Sequence, residues 1–215
     1  MIENASAEAI QFTGLSHKIH RAASASAPCI FLIHGRAGNQ EVMWTFKRVV
    51  PENWTIIAPQ APLSDPLGGY SWWLVKEHWS KDEAIAASSL LLDFISKALS
   101  FYSLSPNKIY ASGFSQGGAV LSLCLQAQPQ LFSRVALLAS FIIEHEFNSS
   151  SKQLPELFIG HGLKDDIVPF EKAEKGIEYA QKRGFNVTVS TDEVGHKIGS
   201  STMRELTNWF KDLDK

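Results

Sequence analysis

The chain has 215 residues, with 20 Lys plus Arg against 22 Asp plus Glu. That near-neutral balance carries no basic stripe and excludes nucleic acid as an expected partner. The length and a hydrophobic share of 45% fit one domain over residues 1–215 with a sizeable core.

Read from the N-terminus, Met1 to Ala5 has neither the basic nor the apolar segment of a signal peptide. No apolar run approaches membrane-spanning length on this reading. A cytoplasmic protein without stable membrane insertion is expected, as monomer or homodimer. Ile10-Gln11-Phe12 and Lys18-Ile19-His20 predict an opening hairpin, and Ser24 to Pro28 is a small-residue loop. A strand at 29–33, a helix around 42–49, a strand at 55–58 and a long helix near 81–101 follow. Next come a strand at 108–112, a helix at 116–127, and strands at 134–139 and 157–160. A helix near 170–183, a strand at 186–191 and a helix near 200–213 close the series. Such alternation predicts an α/β fold: a mostly parallel central sheet with helices on both faces. Phe141 to Gln153 is short, polar and Ser-rich, so no large cap domain is expected. Cys29 and Cys124 stand in apolar runs and read as buried thiols, not as a disulfide framework. No histidine or cysteine pair shows ligand spacing, so no metal is expected.

The chemistry is concentrated at strand ends. Gly113-Phe114-Ser115-Gln116-Gly117 is a G-x-S-x-G pentapeptide between a buried strand and a buried helix. A turn of that kind holds a serine strained and exposed, and Gly113 and Gly117 are there because a Cβ would clash. A second apolar run ends in Gly160-His161-Gly162, and the loop after it carries Asp165 and Asp166, either of which is a candidate acid. A third strand runs into Gly195-His196, the candidate base. The order serine, acid, histidine is that of the α/β-hydrolase fold. The first buried strand stops at His34-Gly35-Arg36. In hydrolases of that fold the oxyanion donors are the N–H after the nucleophile and one from this earlier loop. The donors are then the backbone N–H groups of Gln116 and Arg36. His34 and His161, each before a glycine at a strand end, read as supporting residues. His17, His20 and His145 read as solvated.

Residues 60 to 80 form a long connection, of a kind that is often functional. It holds Tyr70, Trp72, Trp73, His78 and Trp79. Two readings stand side by side: walls of an acyl or aryl pocket, with Tyr70, Trp72 and Trp73 touching substrate, or packing over a sheet edge.

These pieces together resemble the phospholipase/carboxylesterase group of small α/β-hydrolases, which includes the acyl-protein thioesterases. The resemblance runs from about Pro28 to the C-terminus. It rests on His34-Gly35, Gly113-Phe114-Ser115-Gln116-Gly117-Gly118-Ala119, Asp165-Asp166-Ile167-Val168-Pro169 and Gly195-His196. Ala58-Pro59-Gln60-Ala61-Pro62 and Ser71-Trp72-Trp73 add to it, Trp73 matching the family's aromatic position. In the family pattern the acid stands four residues before the proline, which implies Asp165. Family thioesterases have a longer apolar segment near residues 60–80, so the resemblance implies esters of short to medium acyl chains here. Family members often carry a small or apolar residue at position 36, and an arginine there is expected to favour polar or anionic acyl groups.

The expected mechanism is that of a carboxylesterase-type serine hydrolase. His196 takes the Ser115 proton, Asp165 orients the imidazole, and an acyl-Ser115 intermediate is released by water. This hydrolytic mechanism needs no cofactor. Activity is expected to rise as His196 loses its proton. The substrate is a small-molecule ester or thioester. A thioesterase or lysophospholipase acting on longer acyl groups is one alternative, and a catalytically silent binding protein of the same fold is the other.

Overall fold

The computed structural model describes residues 2–76, 80–147 and 154–211. The chain opens with β1 (Ile2–Asn4), α1 (Ala7–Thr13) and β2 (His17–His20). The expected strand at Ile10-Gln11-Phe12 is therefore helix. Ser6 caps it by accepting from the Ala9 N–H at 3.1 Å. Gly14, at φ +85°, closes it with its N–H on the Ile10 carbonyl. Both ends of this short helix are thus satisfied locally, and Ala9 and Thr13, four apart, are buried together. In place of a hairpin, β1 and β2 pair antiparallel on either side of α1, with Glu3 opposite Ile19.

From there the expected alternation appears. It runs β3 (Cys29–Ile33), β4 (Thr55–Pro59), the small hairpin β5 (Leu63–Ser64) and β6 (Tyr70–Ser71), and α2 (Lys81–Phe101). It continues through β7 (Ile109–Phe114), α3 (Gln116–Ala127), β8 (Arg134–Leu138) and β9 (Glu156–Gly162). It ends with α4 (Phe170–Lys182), β10 (Val187–Asp192) and α5 (Ser200–Lys211). The segment Val42–Val49 is a 3₁₀ helix, not an α-helix. Its buried residues, Met43, Phe46 and Val49, recur every third position, which matches three residues per turn.

The eight strands of the main sheet lie in the order β1-β2-β4-β3-β7-β8-β9-β10. The two pairs involving β2 are antiparallel and the rest are parallel. Because side chains alternate along a strand, a strand covered on both faces must be apolar throughout. Strand β3 shows this directly. Cys29, Phe31 and Ile33 join the core under α2, α3 and α4, while Ile30 and Leu32 join the core under the 3₁₀ segment and α5. Both cysteines are free and buried.

Helix α2 corrects one expectation. At 21 residues it is long and apolar enough, by length and composition alone, to cross a membrane. In the fold it lies against α1 and α3, with Ala84, Ala87, Leu91, Phe94, Ile95 and Ala98 buried.

Parallel pairing brings the carboxyl ends of β3, β7, β9 and β10 to one rim. Ile33 pairs with Gly113, Phe114 with Leu138, and Asp192 with Gly162. Among the described residues no cap domain covers that rim: β8 leads to β9 through irregular chain, of which residues 148–153 lie outside the described residues.

Candidate active site

Ser115 sits between β7 and α3 with φ 51° and ψ −119°, a backbone state that costs a non-glycine residue on the order of 1–3 kcal/mol. Its surroundings hold it there. Its N–H donates to the Leu138 carbonyl at 2.8 Å, and its carbonyl accepts from Ser140 Oγ at 2.7 Å. The glycines around it are required by contact. A Cβ on Gly113 would lie 2.6 Å from the backbone of Gly117, and one on Gly117 would lie 2.4 Å from the Ile33 carbonyl oxygen.

Three sequence candidates meet here. His196 Nε2 is 3.0 Å from Ser115 Oγ, and His196 Nδ1 is 2.7 Å from Asp165 Oδ2. Asp165 is buried, whereas Asp166 is exposed. The other Asp165 oxygen accepts from the N–H groups of Ile167 and Val168, at 3.0 and 2.8 Å. The carboxylate is thus fixed by its own loop before it meets the imidazole. The Phe114 ring lies 5.1 Å from that of His196. His161 is buried; its Nε2 lies 2.8 Å from the Val168 carbonyl oxygen and 3.5 Å from Asp165 Oδ2. The loops of acid and base also interlock through backbone. Leu163 N–H donates to Asp192 and Lys164 N–H to Val194, each at 2.9 Å. Asp192 in turn accepts from the Thr202 N–H at 2.9 Å and from the Ser201 hydroxyl. Those bonds, led by Ser201, hold its carboxyl down at about 2.

On the other side of Ser115 lies the loop His34 to Gly38. His34 is fully buried and bonded at both nitrogens. Nδ1 lies 2.7 Å from the Gly35 carbonyl oxygen, and Nε2 accepts from the Ala61 N–H at 2.9 Å. Burial drives its imidazole down to about 4, so it is neutral and structural. The Trp72 indole N–H donates to the His34 carbonyl at 2.9 Å. The Gln116 side chain closes this circuit, accepting from Trp72 N–H and donating to the Trp73 carbonyl, both at 2.9 Å.

The aromatic segment therefore needs correcting. Trp72 and Trp73 are only 2% and 3% exposed and belong to the core over β3. They brace the loop and do not offer an open wall. Tyr70 is half-buried, and its N–H donates to the Gly38 carbonyl at 2.8 Å. His78 and Trp79 lie outside the described residues. The Arg36 side chain is also not a free cation: its Nε donates to Asp65 Oδ2 at 3.1 Å. His17, expected to be solvated, is fully buried, with Nε2 2.7 Å from the Tyr102 hydroxyl and Nδ1 2.8 Å from the Leu15 carbonyl oxygen. His20 and His145 are half-buried.

Sequence reading gave no role to Asp65, and took Ser71 only as part of the Ser71-Trp72-Trp73 match. Asp65 sits in the long 60–80 connection with no pattern of its own, and its partners stand 29 and 6 residues away. Only the fold puts them together.

Among the described residues no group of three or more His, Cys, Asp or Glu could hold a metal ion. The geometry offers a serine hydroxyl, an imidazole anchored by a buried carboxylate, and a loop at the carboxyl end of β3. Comparison with known proteins bears on the fold and the family. The chain is 27% identical over 114 residues to a probable carboxylesterase SOBER1-like protein of Arabidopsis thaliana, covering 50% of this chain and 43% of that one. It is 29% identical over 119 residues to an acyl-protein thioesterase 1 of Emericella nidulans, covering 52% and 49%. The chain thus spans about half or less of the length of these relatives. A carboxylesterase structure from Mesorhizobium loti superposes with a TM-score of 0.83 over 98% of this chain and 99% of that one, at 16% identity, a likeness of fold. The family model described as phospholipase/carboxylesterase matches residues 16–213, and the chain belongs to that family.

Proposed function

We propose that the protein is a serine carboxylesterase for esters of short to medium acyl chains. The observation that carries this reading is the unbroken chain from Ser115 Oγ through His196 to Asp165, at 3.0 and 2.7 Å. In this mechanism His196 takes the hydroxyl proton as Ser115 attacks the ester carbonyl. Asp165 holds the imidazole tautomer and stabilises the imidazolium. The backbone N–H groups of Gln116 and Arg36 receive the oxyanion; one such donor is worth about 3 kcal/mol in the transition state. His196 then protonates the departing alcohol, leaving acyl-Ser115, and water activated by His196 frees the acid.

The short-chain preference is supported by how the 60–73 segment is used. Its tryptophans are consumed in packing, so they offer no deep acyl slot, and the exposed apolar residue nearest the acid in sequence is Ile167, two positions after Asp165. A thioesterase or lysophospholipase would use the same machinery on a longer chain.

The test is hydrolysis of p-nitrophenyl esters from acetate to palmitate, with Ser115→Ala in parallel. The expected result is a peak at short chains and a loss of at least about 10³-fold in the variant. A peak at long chains moves the substrate to lipids or acyl-proteins. No hydrolysis, together with no labelling of Ser115 by a fluorophosphonate, makes the protein a silent binder.

A further inference from the structure

Residue 36 has two attachments. Its backbone N–H is the proposed first oxyanion donor, and its guanidinium is tied to Asp65. The Asp65 carboxylate has a fully buried side chain and three donors. Leu67 N–H reaches one oxygen at 2.9 Å; the Ser71 hydroxyl, at 2.7 Å, and Arg36 Nε–H, at 3.1 Å, reach the other. Ser71 Oγ, having given its proton to Asp65, accepts from the Ala37 N–H at 3.2 Å. Ala37 itself is held at φ +57°. Gly69 presses against it so closely that a Cβ there would lie 2.2 Å from the Ala37 carbonyl oxygen. The peptide after the donor and the side chain on the donor residue therefore both end on one carboxylate.

The electrostatics require the pair as well. Burial pushes the Asp65 carboxyl up, but the Leu67 N–H, the Ser71 hydroxyl and the Arg36 guanidinium outweigh it and keep the group below the usual carboxylate range. A charged carboxylate close to a developing oxyanion would oppose it, and Arg36 cancels that charge at contact distance. The site thus keeps the carboxylate's positioning power without its repulsion.

We infer that Asp65, acting through Ser71 and Arg36, is a positioning residue that aims the Arg36 N–H at the oxyanion. This rests on the reading of Ser115 as the nucleophile. It separates Asp65 from a merely structural acid, because the aim of a donor matters more to the transition state than to the bound ester.

The experiment compares the parent protein with Asp65→Asn and Ser71→Ala. It measures kcat and KM on p-nitrophenyl butyrate, inhibition by an alkylboronic acid that forms a tetrahedral adduct on Ser115, and melting curves. The expected result is kcat lowered about 10- to 100-fold with KM within about twofold, and boronate affinity weakened by the same factor as kcat. Folded variants whose kcat stays within about twofold of the parent would overturn the role. So would a fall in kcat with boronate affinity unchanged. Should Asp65→Asn fail to fold, Ser71→Ala, which removes one hydroxyl, decides alone. The underlying hydrolase reading is judged separately: a parent that hydrolyses no ester and takes no fluorophosphonate at Ser115 ends both ideas. With an active parent and a dead Ser115→Ala, the two variants decide the role of Asp65.

Discussion

The two flanks of Ser115 are built on different principles. On one flank, the loops of Asp165 and His196 hold each other backbone to backbone, and Asp165 is fixed by N–H groups two and three residues onward. On the other, the loop at His34–Gly38 is held by side chains that come from far along the chain, Asp65, Ser71 and Trp72, with Gln116 bracing the Trp72–Trp73 backbone behind them. The first flank is the more local of the two in its acid: Asp165 is held by its own loop, and the base loop joins it through backbone. The second has a short-range bond from Gly38 N–H to the Gly35 carbonyl, and the rest of its support arrives with the β5–β6 hairpin and the tryptophans after it. The loop proposed to present a backbone N–H takes that bracing from side chains, its own Arg36 among them, that end on one distant carboxylate.

The largest effect should come from breaking the local flank. Asp165→Asn is expected to lower kcat about 10³- to 10⁴-fold, because the amide favours the wrong imidazole tautomer. Asp166→Asn, at an exposed position, should stay within about twofold. Equal losses in the two variants, read from steady-state kinetics, would reverse the assignment of the acid.

Glycines sharpen the contrast in stability. Gly117→Ala drives a methyl group to 2.4 Å from the Ile33 carbonyl oxygen, and a loss of about 3 kcal/mol in urea unfolding is expected. Gly195→Ala meets only Lys164 O, at 3.6 Å, and should cost less than about 0.5 kcal/mol. Similar midpoints for the two variants would show that the elbow is looser than its contacts imply.

The distant flank should be the more sensitive to acid. His34 has its imidazole lowered from 6.5 to about 4, so between those values the unfolded chain binds a proton that the folded chain refuses. Stability is then complete above 6.5 and declines as the pH falls towards 4, by on the order of 3 kcal/mol in all. Asp192, depressed from 3.8 to about 2, adds a second loss, which begins below its ordinary value and is complete beneath about 2. Urea unfolding at stepped pH should show the first slope in the parent and a flatter one in His34→Gln. A parent whose stability does not change between pH 6.5 and 4 would contradict the burial of a neutral His34.

Among the variants expected to lose stability, Trp72→Phe should lose the least. It keeps most of the packing and removes the indole N–H from the His34 carbonyl, for about 1–2 kcal/mol. A larger fall in kcat than in stability would tie that bond to the oxyanion loop.

Much of this is legible in the sequence, and the reason differs from element to element. The buried parallel strands announce themselves as continuous apolar runs because both faces are covered. The order of Ser115, Asp165 and His196 is readable because each follows a strand end and sits in a short pattern of its own. Helix α1 reads as strand only if a three-residue alternation is weighed above the Ser6 cap and the Gly14 stop, and it is too short for that. The tryptophans are ambiguous because pocket walls and core are both apolar, and only their exposure of 2% and 3% separates the two.

The sequence by itself determined the alternation of the main-sheet strands and helices from β3 onward, the strained serine turn, the candidate acid and base loops, and the family. Each of these is written in neighbouring residues, whose local sterics and hydrogen bonds act wherever the chain goes. The tertiary structure alone decided that Asp65 grips Arg36 and reaches Ala37 through Ser71, that Trp72 and Trp73 are braces, and that His17 is buried. Those facts depend on groups brought together across tens of residues, and no local pattern records which distant partner a buried polar group will find.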